Sequence, residues 1–85
     1  MKIVAVYWVD AWIDTGDVSL SKAKKAKPIE RYTVGYLIEE TDESIILSTD
    51  YFPKKGRTKE VSALMVIPMG WIKSWEIQEI ENGGD

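Results

Sequence analysis

The sequence predicts a mostly β protein: a small, strongly bent five-stranded antiparallel barrel with one short helix after its first strand. Three observations predict it. From Ile29 onward, short runs of β-branched and aromatic residues recur between turn residues, the pattern of strands. Those runs follow one another through short turns, which makes consecutive strands antiparallel neighbours. At 85 residues, closing the sheet on itself is the economical way to remove its edges.

Residues 2–13 read as the first strand. Ile3, Ala5, Tyr7, Val9, Ala11 and Ile13 fall on one face, and Val4, Val6, Trp8 and Trp12 on the other. Both faces are largely apolar, so a helix or a neighbouring subunit is expected to cover the second. Asp14-Thr15-Gly16-Asp17 is a turn by composition. Ser19 or Ser21 can cap a short helix that runs to about Lys27, where Pro28 stops it; Leu20, Ala23 and Ala26 form its thin apolar stripe. In the next strand Tyr32, Val34, Tyr36 and Ile38 alternate with Thr33, Gly35 and Leu37. A glycine in mid-strand predicts a bulge or sharp bend, the device that curls a sheet.

Residues 39–43 form an acidic, tight hairpin turn. Ser44 to Phe52 is the following strand, centred on Ile45, Ile46 and Leu47. Pro53-Lys54-Lys55-Gly56-Arg57 is the clearest loop in the chain. Val61 to Ile67 is again apolar on both faces, and Pro68-Met69-Gly70 breaks it. Trp71 to Ile80 is the last strand, with Ile72, Trp75 and Ile77 directed at the core. Residues 1–81 are therefore expected to be a single domain and 82–85 a flexible polar tail. Most of the four tryptophans are expected in the core, where an aromatic ring hides about 150–250 Å², with one or two left for a ligand or subunit surface.

Composition excludes more than it identifies. Cys and His are both 0, which removes disulfides, thiolate nucleophiles, Cys-based zinc sites and the commonest general base. Asp10 and Asp14 are four apart, a spacing only a helix would align, yet they close a strand. With Asp17 they lack the spacing and the terminal Glu of a calcium loop, and a solvated acidic turn is the simpler account. Ser19 and Ser21 beside Lys22 are explained by capping, and the scattered glycines build no phosphate-cradling loop. No enzyme activity, cofactor or metal is expected. No run of about 18 apolar residues exists, so no membrane span is expected. The N-terminal Lys and apolar stretch lack a small-residue cleavage site and are followed at once by Asp10 and Asp14, so they read as structure, in a cytoplasmic protein.

The net charge of −3 conceals a segregation. Lys22, Lys24, Lys25, Lys27 and Arg31 lie in one segment and Lys54, Lys55, Arg57 and Lys59 in another, together nine of the eleven bases. The acids gather at 10–17, 39–43 and 76–85. Two readings compete. The basic segments grip phosphates, with Tyr51, Phe52 or Tyr32 offering rings for stacking; or they are a soluble helix face and a soluble hairpin tip.

Gly35, Leu37, the acidic stretch Glu39-Glu40-Thr41-Asp42 and then Ile45-Ile46-Leu47 form one pattern. Ile67, with Ile72 and Trp75 five and eight positions after it, forms a second, and the loop Pro53 to Glu60 lies between them. In this the stretch Tyr32 to Ile80 resembles the Sm-like proteins, small bent barrels that form rings and bind RNA. The family's RNA-pocket Asn is absent here, Pro68-Met69 stands where the family has Arg-Gly, and the family's helix precedes its first strand. The resemblance covers about half the chain and implies an architecture that SH3-like barrels share; it transfers no RNA-binding residue. The succession of Asp10-Ala11, a Lys-rich helix, Val34-Gly35-Tyr36-Leu37 and Val66-Ile67-Pro68 followed by Trp71-Ile72 also looks like small accessory proteins encoded by bacteriophages.

The expected function is a non-catalytic, oligomeric binding protein for RNA, single-stranded nucleic acid or a phosphate-bearing nucleotide. Its contacts would be Lys22, Lys24, Lys25, Lys27, Arg31, Lys54, Lys55, Arg57, Lys59, Tyr51 and Phe52. A homo-oligomer, a ring among the options, follows from strands whose two apolar faces exceed what so short a chain can hide. The alternative is a protein-interaction module, an accessory or inhibitor subunit anchored by Trp8, Trp12 or Trp71.

Overall fold

The computed structural model describes residues 1–52 and 60–80. They form five strands, β1 (Lys2–Asp10), β2 (Ile29–Glu40), β3 (Ser44–Phe52), β4 (Glu60–Pro68) and β5 (Ile72–Glu79), one helix, α1 (Leu20–Ala23), and a 3-10 turn at Met69–Trp71. The expected loop at 53–57 and the tail at 82–85 lie outside the described residues. The protein is mostly β, with all strand pairs antiparallel in one sheet of order β4-β3-β2-β1-β5. β4 and β5 stand at opposite ends and do not pair with each other, so the sheet is not closed into a barrel.

The sheet is organised by a division of labour within β2. Its first half pairs with β1, from Asp10 opposite Ile29 to Ile3 opposite Tyr36. Its second half pairs with β3, from Tyr36 opposite Ser48 to Glu40 opposite Ile45, with a register slip between Leu37 and Glu39. Gly35 sits at the changeover. A Cβ there would lie 2.7 Å from both the Leu47 Cδ1 and the Ser48 carbonyl oxygen, so only glycine lets β3 approach this closely. The glycine and the bulge expected from the sequence are thus two adjacent devices, with the bulge at Ile38.

The bend folds one face of the sheet inward. Val4, Val6 and Trp8 of β1 meet Ile45 and Leu47 of β3 and Ile67 of β4, all buried, with Leu37, Met69 and Ile72 packed around them. The Trp8 indole N–H donates to Thr33 Oγ1 at 2.9 Å, which satisfies the one polar group its burial would orphan. Ser48 is the one buried polar residue among those described. Its hydroxyl lies between the carbonyls of Asp50, at 2.8 Å, and Ser62, and accepts from the Asp50 N–H at 3.3 Å. It stitches the β3–β4 ladder beside Ala63, whose φ of 54° is the left-handed region. The acidic hairpin turn is held by Thr41, whose Oγ1 accepts from the N–H groups of Glu43 and Ser44 at 3.2 and 3.0 Å.

Several expectations are corrected. β1 ends at Asp10, not at residue 13, because Trp12 leaves the sheet and donates its indole N–H to the Lys27 carbonyl at 2.6 Å, tying the two ends of the 11–28 excursion together. α1 is a single turn. Ser19 caps it as expected, but the chain then tightens into the Lys25-to-Lys22 and Ala26-to-Ala23 hydrogen bonds of a turn. Four lysines in six residues repel one another, and α1 buries no side chain that would stabilise a longer helix. It therefore does not cover the sheet. Of the four tryptophans only Trp8 is core; Trp12, Trp71 and Trp75 are exposed, as is Ile77. Among the described residues no helix is long and apolar enough to cross a membrane.

Three substitutions test this account by urea denaturation. Gly35→Ala is expected to lower stability by about 1–3 kcal/mol, because the new methyl meets backbone. Ser48→Ala is expected to cost about 1–3 kcal/mol by leaving buried backbone groups without a partner. Ala63→Gly is expected to gain about 0.5–1 kcal/mol, relief of the left-handed conformation outweighing the added chain entropy. A loss in Ala63→Gly comparable to that of Gly35→Ala contradicts the assignment of strain.

Candidate ligand-binding surface

The first nominated segment lies on the excursion between β1 and β2. Ser19 sets its geometry by accepting the Lys22 N–H on its hydroxyl at 3.3 Å. The turn that follows leaves Lys22, Lys24, Lys25 and Lys27 exposed. Three ion pairs occur among the described residues: Met1 amine to Glu79 at 3.2 Å, Arg31 to Asp10 at 2.7 Å and Lys73 to Glu30 at 3.4 Å. None involves the four lysines. Lys22 and Lys25 border a depression of about 860 Å³ with Trp12 and Val18, but Asp14 and Asp17 line it too. Asp14 is already occupied in part, accepting the Gly16 N–H at 2.9 Å.

Arg31 stands apart from the lysines, since its Nε donates to Asp10 across the β1–β2 ladder. Tyr51 on β3, half-buried, packs against Tyr36 of β2, ring centroids 5.9 Å apart and tilted by 48°. Lys54, Lys55, Arg57 and Lys59 lie outside the described residues, as does the side chain of Phe52.

A further cluster escaped the sequence reading. On the outer face of the sheet Tyr7 of β1 stands directly opposite Tyr32 of β2, and their rings stack with centroids 4.6 Å apart and planes within 6°. A register slip between Tyr7 and Trp8 on the β5 side leaves Lys73 as the extra residue, and its Nζ lies 5.3 Å from the Tyr7 ring centroid. The same ammonium is 3.4 Å from Glu30 Oε1. Three titrations are coupled here. The Glu30 carboxylate, accepting from the phenol and repelling its ionised form, raises the Tyr7 pKa. The phenol and then the Lys73 ammonium lower that of Glu30. Lys73 is raised by the Tyr7 oxygen and then by Glu30. The signal lay in the alternation that put Tyr7 opposite the core face of the first strand. Its partner was hidden because an 18-residue excursion separates the strands, and no tight turn sets their register.

Chemically the surface offers ammonium groups for an anion and flat rings for a planar group. Asp10 and Asp14, which the sequence left as a weak acid pair, are held by Arg31 and by the Gly16 amide. No protein family, no curated protein and no solved structure matches the chain.

The cluster makes a pH prediction. The lowered Glu30 pKa contributes stability above the ordinary carboxylate range, lost as pH falls through the folded value; the raised Tyr7 and Lys73 values contribute below their ordinary ranges, lost as pH rises through the folded values. In Glu30→Gln the Tyr7 titration, followed by NMR of its ring carbons, is expected to move to lower pH. An unmoved midpoint contradicts the coupling.

Proposed function

We propose that the chain is a non-catalytic binding protein whose basic segment at 22–27 holds a phosphate-bearing ligand, RNA, single-stranded nucleic acid or a nucleotide. The observation that carries this reading is the state of Lys22, Lys24, Lys25 and Lys27: exposed, held close by one turn, and in no ion pair among the described residues. An exposed ammonium keeps its full affinity for phosphate, whereas one already in an ion pair must exchange partners. Arg31 belongs to the second class and is the weaker candidate. The basic residues at 54–59 belong to the proposal on sequence grounds alone.

A specific observation favours self-assembly alongside this. Both end strands carry exposed apolar side chains, Val61, Leu64, Met65 and Val66 on β4, and Trp75 and Ile77 on β5. Each presents one row of backbone groups with no strand beyond it in the sheet among the described residues. A bare apolar edge is a template for pairing with another chain. Pairing of β4 from one copy with β5 from the next is a head-to-tail contact that closes into a ring or extends as a filament. In this sense the Sm-like resemblance supports the proposal: a strongly bent sheet that pairs edge to edge with its own copies in a ring. The protein-interaction reading is the competing one, with Trp12 and Trp71 as its exposed anchors; the buried Trp8 cannot serve.

Two measurements test this. Binding of a fluorescent single strand is expected to fall with salt, and replacing the four lysines by alanine to reduce the slope of log K against log salt by about 3, at roughly 0.7 per phosphate contact. Wild-type protein that binds neither RNA, single-stranded DNA nor nucleotide at low salt overturns the ligand reading. Native mass spectrometry is expected to give a multiple of the 9.7 kDa chain, reverting to one chain in Val66→Lys without loss of its β-sheet signal. A wild-type monomer overturns the assembly.

A further inference from the structure

We infer that the Tyr7–Tyr32 stack on the outer face of the sheet is a base-stacking site for an unpaired nucleobase, with the open face of Tyr32 as the platform. The inference deepens the proposed function and rests on its nucleic-acid form. The argument begins with strand order. β2 and β5 flank β1 on opposite sides; Tyr32 stands directly opposite Tyr7 on β2, while the Lys73 ammonium reaches from β5 to Glu30 on β2. Tyr7 and Tyr32 form a stack of two near-parallel rings 4.6 Å apart, with the ammonium 5.3 Å from the Tyr7 centroid. One face of Tyr32 is covered by Tyr7 and the other is not.

The uncovered face has room. Tyr32 is 77 % exposed even though one of its faces is covered by Tyr7, so the second face meets solvent. The reason is the bend at Gly35. β2 pairs with β3 only from Tyr36 onward, and among the described residues its stretch Ile29–Gly35 is paired with β1 alone. Among the described residues no strand is paired to β2 on the other side of Tyr32. Val34, 60 % exposed and on the same side of the sheet as Tyr32, adds an apolar shoulder for the edge of a base.

Charge decides which flat group fits. Tyr32 follows Lys27 by five residues, at most about 18 Å of extended chain. A strand whose base lies on Tyr32 has its neighbouring phosphates within reach of Lys27, the nearest of the lysines that make no ion pair among the described residues. A neutral aromatic ligand or an apolar peptide would use the ring and leave the ammonium groups unanswered. A single-stranded nucleic acid uses both, through the combination of basic track and aromatic platform by which such strands are held. The pairing is with the base face, so base identity is expected to matter little.

The test uses a fluorescein-labelled oligouridylate of about ten nucleotides and an abasic sugar-phosphate strand of the same length. Tyr32→Ala is expected to weaken oligouridylate binding on the order of ten-fold or more while leaving its salt slope unchanged, and to leave abasic-strand binding unchanged. Tyr32→Phe is expected to retain wild-type affinity, which separates a lost ring from a disturbed fold. Replacing the four lysines is expected to have the complementary effect, weakening both strands and flattening the salt slope. Wild-type binding that Tyr32→Ala leaves within two-fold, or that it weakens equally for the abasic strand, overturns the stacking site and leaves the phosphate reading standing. Absence of wild-type binding to the oligouridylate at low salt overturns the stacking site together with the nucleic-acid form of the proposed function on which it rests.

Discussion

The close approach of β2 and β3 at Gly35 is the constraint on which the rest of the structure depends. A flat five-stranded sheet from this chain would have no second layer to bury Val4, Val6 and Trp8, because α1 contributes none. The bend supplies the missing layer from the sheet itself, by carrying Ile45, Leu47 and Ile67 over the inner face of β1. It requires a position without a Cβ, since 2.7 Å to a backbone oxygen leaves no space for one. It also withdraws β3 from the first half of β2. The geometry that makes the core therefore also leaves Tyr32 uncovered, and the candidate surface follows from how the fold is stabilised.

The core obtained this way is small. Among the described residues six apolar side chains are buried, while apolar residues on both end strands meet solvent. A short chain buries a low fraction of its surface in any case, but scattered exposure is not what is seen here. On β4 the exposed residues are successive, Leu64, Met65 and Val66, so they occupy both faces of one end strand. Natural end strands are usually blunted by charge, proline or a bulge. β4 has its left-handed residue at Ala63, and its apolar run follows directly after it. An edge so composed is suited to being paired.

The limits of the sequence reading have identifiable physical causes. β3 was legible to the residue, Ser44 to Phe52, because turn chemistry at Thr41 and the proline at 53 mark its ends. The bend was legible because a glycine between Val34 and Tyr36 has no other reason to be there. The end of β1 was not, since Ala11, Trp12 and Ile13 continue the apolar pattern and only the long-range Trp12–Lys27 hydrogen bond takes them out of the sheet. Trp75 and Ile77 alternate as core residues should and do face inward, opposite Val6 and Val4. They remain exposed because no β4 partner closes over them, which is a property of the sheet's ends and not of the strand's own pattern. The ring cluster was invisible for a related reason: Tyr7, Tyr32 and Lys73 come from three strands whose registers are set by a long excursion and a bulge.

Net charge frames the remaining question. A chain at −3 repels a polyanion at long range, and the acids at 10–17 lie next to the lysines at 22–27. Coulomb attraction from four surface ammonium groups is screened over about 8–10 Å in ordinary salt, and Asp14 and Asp17 offset part of it. Charge alone would therefore give the proposed binding a weak, strongly salt-dependent hold. Stacking depends little on salt, because it rests on ring contact and on the exclusion of water. Under the proposed function, a platform of two aligned tyrosines beside a modest basic track would let an acidic protein keep a single strand at ionic strengths where its lysines alone would release it. Duplex, whose bases are already stacked on one another, would gain nothing from Tyr32. Such an arrangement would select the unpaired strand by physics that needs no sequence readout.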